Sequence, residues 1–139
     1  MAPLRPLLTR ATLVALVALV VGARPADACR CLPPSLGKAV RAADVVFVGT
    51  IDRVERDDHA IATVTVRAVW KGAVASEVTV HDSPTSCRRG LSPGETLVFV
   101  ARNDHGRFTV RQCDGTQRAT AAVERRLTRA LGASRAPTP

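Results

Sequence analysis

The stretch "VVFVGTIDRVE", residues 45–55, decides how this chain is read. It opens on a β-branched and aromatic run, which suits a strand. "RDDH" then turns the chain. "AIATVTVRAVW", residues 60–70, alternates Thr63, Thr65 and Arg67 against Val64, Val66 and Ala68. A period of two is the mark of a half-buried strand.

Outward from this pair, "KGAVAS" turns the chain and "EVTVHD" makes a third strand. "SPTSCRRGLSPGE" is a long loop rich in turn residues. "TLVFVAR" and "RFTVRQC" are a fourth and a fifth strand, joined by the hairpin turn "NDHG". From residue 116 to 131 the period changes. Ala119, Val123, Leu127 and Leu131 recur every fourth residue, as on one stripe of an amphipathic helix. "GASRAPTP" follows as a frayed tail. On the N-terminal side, Pro33 and Pro34 hold the chain extended. Ser35 caps a short helix running through Ala42. Five short strands flanked by two helices predict a mostly β, five-stranded, OB-fold-like barrel, since closure removes exposed strand edges. A small sandwich is the alternative.

The chain opens with a basic, acid-free segment carrying Arg5 and Arg10. An apolar run follows, then Ala26 and Ala28 in an A-x-A arrangement. That order describes a cleaved secretory signal peptide at residues 1–28. The apolar run is shorter than the roughly 20 residues that span a bilayer. Two other readings stand beside it: a lipoprotein signal acylated at Cys29, or a retained anchor. Asp27 and the small Ala26 fit the lipoprotein signal poorly. The expected organisation is a leader at 1–28, one domain at 29–132 and a disordered tail at 133–139, in a secreted, extracellular monomer.

The chain has 139 residues and a net charge of +8, which favours acidic partners and says nothing of fold. All four cysteines, Cys29, Cys31, Cys87 and Cys113, follow the leader. An even count in a small exported domain reads as two disulfides. Four cysteines allow three pairings, and a Cys29–Cys31 bridge would be strained across one residue. Two long-range bridges would contribute about 4 kcal/mol each in the chain-entropy account.

Several chemistries find no footing. There is no G-x-S-x-G and no C-x-x-C, so neither a hydrolase nucleophile nor a thiol redox pair is expected, and the chain reads as a non-enzyme without a cofactor. Asp57, Asp58 and His59 could ligate a metal, but His59 and His105 sit in turns and no paired-histidine spacing exists, so no metal of its own is expected. Nucleic-acid binding on a barrel of this kind uses aromatic stacking. With no Tyr, and with Phe47, Trp70, Phe99 and Phe108 all in or beside strands, core packing accounts for the aromatics. Arg118, Arg125 and Arg129 fall on one side of the last helix, a candidate surface for an anionic polymer or membrane.

The residues "CRCLPP" followed by "AADVVFVGTI" resemble the N-terminal inhibitory domain of the tissue inhibitors of metalloproteinases, a netrin-like module. That family starts at its signal cleavage site with Cys-x-Cys. "VWKG", residues 69–72, is similar to its aromatic-Lys-Gly after the second strand, and "SPTSC" to its Ser/Thr-rich approach to the next cysteine. The resemblance implies bridges Cys29–Cys87 and Cys31–Cys113. The family's third bridge has no counterpart, since its first cysteine would fall at Arg41.

The resemblance also implies a mechanism. A catalytic zinc keeps one position open for water or substrate. The α-amine and carbonyl oxygen of Cys29 would chelate the zinc of a partner metalloprotease and displace that water. Arg30, Cys31, Leu32 and Pro33 would continue the contacting ridge, with Ser83, Pro84, Thr85 and Ser86 beside them. Arg30 stands where the family usually carries Thr or Ser, whose side chain enters the protease's specificity pocket. The alternative is a netrin-like binding module for an anionic polymer, membrane or protein, without protease inhibition.

Overall fold

The computed structural model describes Cys29, Leu32 and residues 34–139. The expected leader at 1–28, and Arg30, Cys31 and Pro33, lie outside the described residues. The elements in chain order are α1 (Leu36–Ala42), β1 (Val45–Arg56), β2 (Ala60–Lys71), β3 (Glu77–Asp82), β4 (Thr96–Asp104), β5 (Arg107–Val110), β6 (Gln117–Arg118) and α2 (Ala121–Leu131). Among the described residues, no helix is long and apolar enough to cross a membrane.

The strands run in the order β1-β2-β3-β5-β4, and β4 pairs back onto β1, which closes a five-stranded barrel. Only the β3–β5 pair is parallel. This is the expected OB-fold-like architecture, mostly β with a short N-terminal and a longer C-terminal helix. β6 is an addition: it pairs antiparallel with the start of β4 through Leu97 and Val98.

Two cores explain why the runs "VVFV" and "LVFVA" show no polar alternation. Val45, Phe47, Leu97, Phe99 and Ala101 point into the barrel, where Phe47 and Phe99 stack with ring centres 4.9 Å apart. Val46, Val48, Val98 and Val100 point outward, under α1 and α2, against Val40, Trp70 and Leu127. Strands buried on both faces read as continuous apolar runs.

β2 keeps its expected alternation as far as Val66 and then changes phase. Val48 pairs with Ala68 but Gly49 pairs with Val66, so β2 bulges there. Ala62, Val64 and Val66 face the interior before the bulge and Val69 faces it afterwards. Ala68 and Trp70 therefore join the outer cluster. Gly49 sits opposite the bulge because a Cβ there would lie 2.5 Å from Val64 Cγ1 and 2.7 Å from the Thr65 carbonyl oxygen.

The "WKG" at the end of β2 anchors three elements. The Trp70 indole N–H donates to Thr128 Oγ1 of α2 at 3.2 Å. The Lys71 ammonium donates to the carbonyls of Val40, Arg41 and Ala43, which are left unpaired at the end of α1. Gly72 takes φ +78°, and a Cβ there would lie 2.8 Å from the Asp44 carbonyl oxygen.

Three expectations need correction. The last helix starts at Ala121, not at residue 116. Buried Thr116 instead accepts the Val100 N–H at 3.0 Å and leads into β6, and Thr120 caps the helix by accepting from the Val123 N–H. β5 stops at Val110 rather than running to Cys113, because the Asp114 carboxylate draws the chain into a turn by accepting from the N–H groups of Arg111 and Thr116. Residues 133–139, expected as a disordered tail, pair at two points, with Val69 of β2 and with the segment that follows β2. β3 pairs only with residues 61–65 of β2, leaving the later half with an open edge. Val69 and Arg135 exchange both backbone hydrogen bonds at 2.9 Å, and Thr138 bonds to Val74 and Ser76. The tail thus covers an edge that would otherwise be unpaired.

Candidate functional site

Cys29, the loop after β3 and the turn after β5 are joined by a disulfide and a backbone hydrogen bond. Cys29 is disulfide-bonded to Cys87, with Cα atoms 5.4 Å apart and 58 residues between them in sequence. One of the two expected bridges is therefore seen. Cys113 is also disulfide-bonded, and its expected partner, Cys31, lies outside the described residues.

The loop carrying Cys87 is organised from beneath by Asp82, the last residue of β3. Asp82 is 2% exposed, and its carboxylate accepts three backbone N–H groups. Oδ1 takes those of Ser83 at 2.9 Å and Arg89 at 2.7 Å, and Oδ2 takes that of Gly90 at 2.8 Å. Residues 83–90 are thus gathered around one buried anion, as charge-assisted bonds allow. Above it, the Ser83 and Thr85 hydroxyls bond at 2.8 Å, and Thr85 Oγ1 accepts the Cys87 N–H at 3.2 Å. The Cys87 carbonyl accepts the Gln112 N–H, which joins this loop to the one bearing Cys113.

Of the expected ridge residues, Pro84, Thr85 and Ser86 are exposed and Ser83 is buried. Ser86 Oγ lies 3.8 Å from the Cys29 sulfur. Leu32 is 95% exposed and is the one large hydrophobic side chain among the described residues left in solvent. The structure therefore brings Cys29 and Ser86 together and leaves Leu32 free to be covered. An adjoining cavity of about 220 Å³ lies between α1, β4 and the Cys113 loop, lined in part by Lys38, Arg102 and Asp114. Burial pushes the Asp114 carboxyl above its ordinary pKa, against the pull of the Thr116 and Arg111 N–H groups and the Arg89 charge.

The arginine surface is divided. Arg118 lies on β6, not on the helix with the others. Arg125 and Arg129 are exposed on α2 and line an open hollow of about 770 Å³ beside Trp70, Thr128 and Ser134.

Two arrangements of polar residues went unnoticed in the sequence. Asp82 reads there only as the end of a strand; a lone acid followed by the turn residues Ser83 and Pro84 was the available signal. The second is the meeting of His59, weighed in the sequence only as a metal ligand beside Asp57 and Asp58, with His81 of β3: their ring nitrogens lie 3.1 Å apart. No three His, Cys, Asp or Glu side chains among the described residues converge as a metal cluster. No protein-family model matches the chain, and no curated protein matches it.

Proposed function

We propose that this chain is exported, is cut after Ala28 and inhibits a zinc metallopeptidase through the terminus so released. The observation that carries this reading is the Cys29–Cys87 bridge, which fastens the first residue of the released chain against the exposed loop at 84–86. The α-amine and carbonyl oxygen of Cys29 would take the open coordination position of the partner's zinc and exclude the attacking water. The disulfide removes much of the ordering cost that a free terminus would bear on binding. The exposed Leu32 supplies apolar surface for the partner to bury, which favours association by about 25 cal/mol per Å².

Only the unprotonated amine has a lone pair to donate. Its reference pKa is about 7.7 to 8.0, so inhibition weakens as pH falls below that range. The test compares protein starting at Cys29 with protein carrying one additional Ala before it, against a panel of matrix-type metalloproteases. Inhibition by the first and its loss in the second are expected. A panel untouched by protein starting at Cys29, or inhibited equally by both, overturns the reading.

A second reading draws on Arg125 and Arg129 around the Trp70 hollow. There the domain would bind an anionic polymer, membrane or protein without inhibiting a protease. Such binding falls steeply with added salt, whereas coordination of zinc by an amine does not. It also survives the additional Ala.

A further inference from the structure

The chain has three histidines, and the fold brings two of them into contact. Ile61 of β2 pairs with His81 of β3. His59 stands two residues before Ile61, just ahead of β2, and so meets His81 as a diagonal neighbour on one face of the sheet. The rings lie with centres 5.4 Å apart and planes inclined by 34°. His59 Nε2 and His81 Nδ1 are 3.1 Å apart.

We propose that His59 and His81 form a two-imidazole site for a late first-row divalent ion of the nickel, copper or zinc type, completed by water. Imidazole nitrogens prefer these ions to magnesium or calcium. With metal–nitrogen bonds of about 2.0–2.1 Å and angles between square and tetrahedral, two ligating nitrogens stand about 2.8–3.4 Å apart. The observed separation falls within that span. Ring centres 5.4 Å apart put the two nitrogens head-on, as in a hydrogen bond, so each ring turns by about 40° for both lone pairs to converge on one ion. An open hollow of about 420 Å³, lined by Val78, Thr79, His81, His105, Arg107 and Phe108 among others, lies on the His81 side and leaves room for water ligands.

Proton balance permits the exchange. In the metal-free pair one facing nitrogen carries the shared hydrogen and the other accepts it. On binding, that proton moves to the far nitrogen of the same ring, so two neutral imidazoles take up the ion with no net proton release. Arg107 repels the cation, which sets the affinity below that of a closed structural site.

The test uses the tag-free full chain, in which the Cys29 nitrogen is held in a peptide bond, stripped with a chelator and titrated with Zn²⁺ while the histidine ring nitrogens are followed by NMR. The expected result is saturable binding at one equivalent, with His59 Nε2 and His81 Nδ1 shifting together and Mg²⁺ without effect. His59→Gln and His81→Gln should each weaken binding at least about tenfold, the scale on which even outer-shell partners of a metal act. The wild-type ring signals hold the question open to refutation even if a variant folds poorly. Shifts confined to His105, unchanged affinity in both variants, or no saturable binding below millimolar Zn²⁺ would overturn the proposal.

Discussion

Replacing Asp82 tests whether one buried carboxylate holds the candidate site in shape. Asp82→Ala removes the acceptor for the N–H groups of Arg89 and Gly90, while that of Ser83 keeps the Val110 carbonyl at 3.0 Å. Two charge-assisted bonds are therefore lost, each worth about 1.5–3 kcal/mol. Both donors are only part-buried and water can partly replace the carboxylate, so the lower end applies and the expected loss is about 3 kcal/mol. Asp82→Asn separates shape from charge. Its one remaining oxygen can still accept from Ser83 and Arg89, but its amide group faces the Gly90 N–H, donor against donor. A loss of about 1.5–2 kcal/mol follows for that variant. Urea unfolding monitored by Trp70 fluorescence gives the energies, and hydrogen exchange gives their location. The amides of Arg89 and Gly90 should lose protection first, with Gly90 alone affected in Asp82→Asn. The disulfide at Cys87 retains the loop's attachment, so the fold should survive both changes. A loss under about 0.5 kcal/mol for Asp82→Ala, within the range of ordinary surface substitutions, would refute the reasoning. So would protection lost evenly across the barrel.

Lys71→Met strips the cation from three carbonyls at the end of α1 while keeping the aliphatic stem. Adding lost charge-assisted bonding to the helix-dipole term gives an expected destabilisation of about 1.5–3 kcal/mol, and an unchanged urea midpoint would count against the cap. Asp114 should titrate above the Asp reference of about 3.9 when its carboxyl carbon is followed by NMR. Its folded pKa is raised, so its contribution to stability is present below the unfolded pKa and lost as pH rises through the folded value; a midpoint at or below the reference contradicts this. Arg30→Thr should tighten inhibition of matrix-type metalloproteases, because a guanidinium entering an apolar specificity pocket costs several kcal/mol unless paired. Flat or worse inhibition constants would argue that residue 30 does not enter such a pocket.

Periodicity reports burial, and it located the elements well wherever burial follows a single strand or helix. Thr63 to Arg67 alternate because one side of β2 meets solvent there. The same cause sets the limits. Ala119 shares its stripe with Val123 and Leu127 and packs on the same outer cluster, yet it precedes the helix, so the apolar spacing runs on past the helical start. The bulge at Arg67 cannot be seen in β2 alone, since it exists only relative to Val48 and Gly49 on β1. The tail at 133–139 looks frayed by composition, and its pairing depends on β3 being too short to cover β2.

The candidate site divides along the same line. Spacing alone left two long-range cysteine pairings open, and only the family resemblance pointed to Cys29–Cys87. Asp82 and the two histidines are legible only through register, because their partners are backbone N–H groups of a folded loop in one case and a diagonal neighbour across two strands in the other. A residue whose work depends on who stands opposite leaves no local pattern. Chemistry of that kind is therefore to be sought at strand ends, where polar side chains of distant segments are brought together by pairing rather than by spacing. Asp82 at the end of β3 and His59 just ahead of β2 occupy such positions, and both lie within two residues of the β2–β3 ladder's final pair, Ile61 with His81.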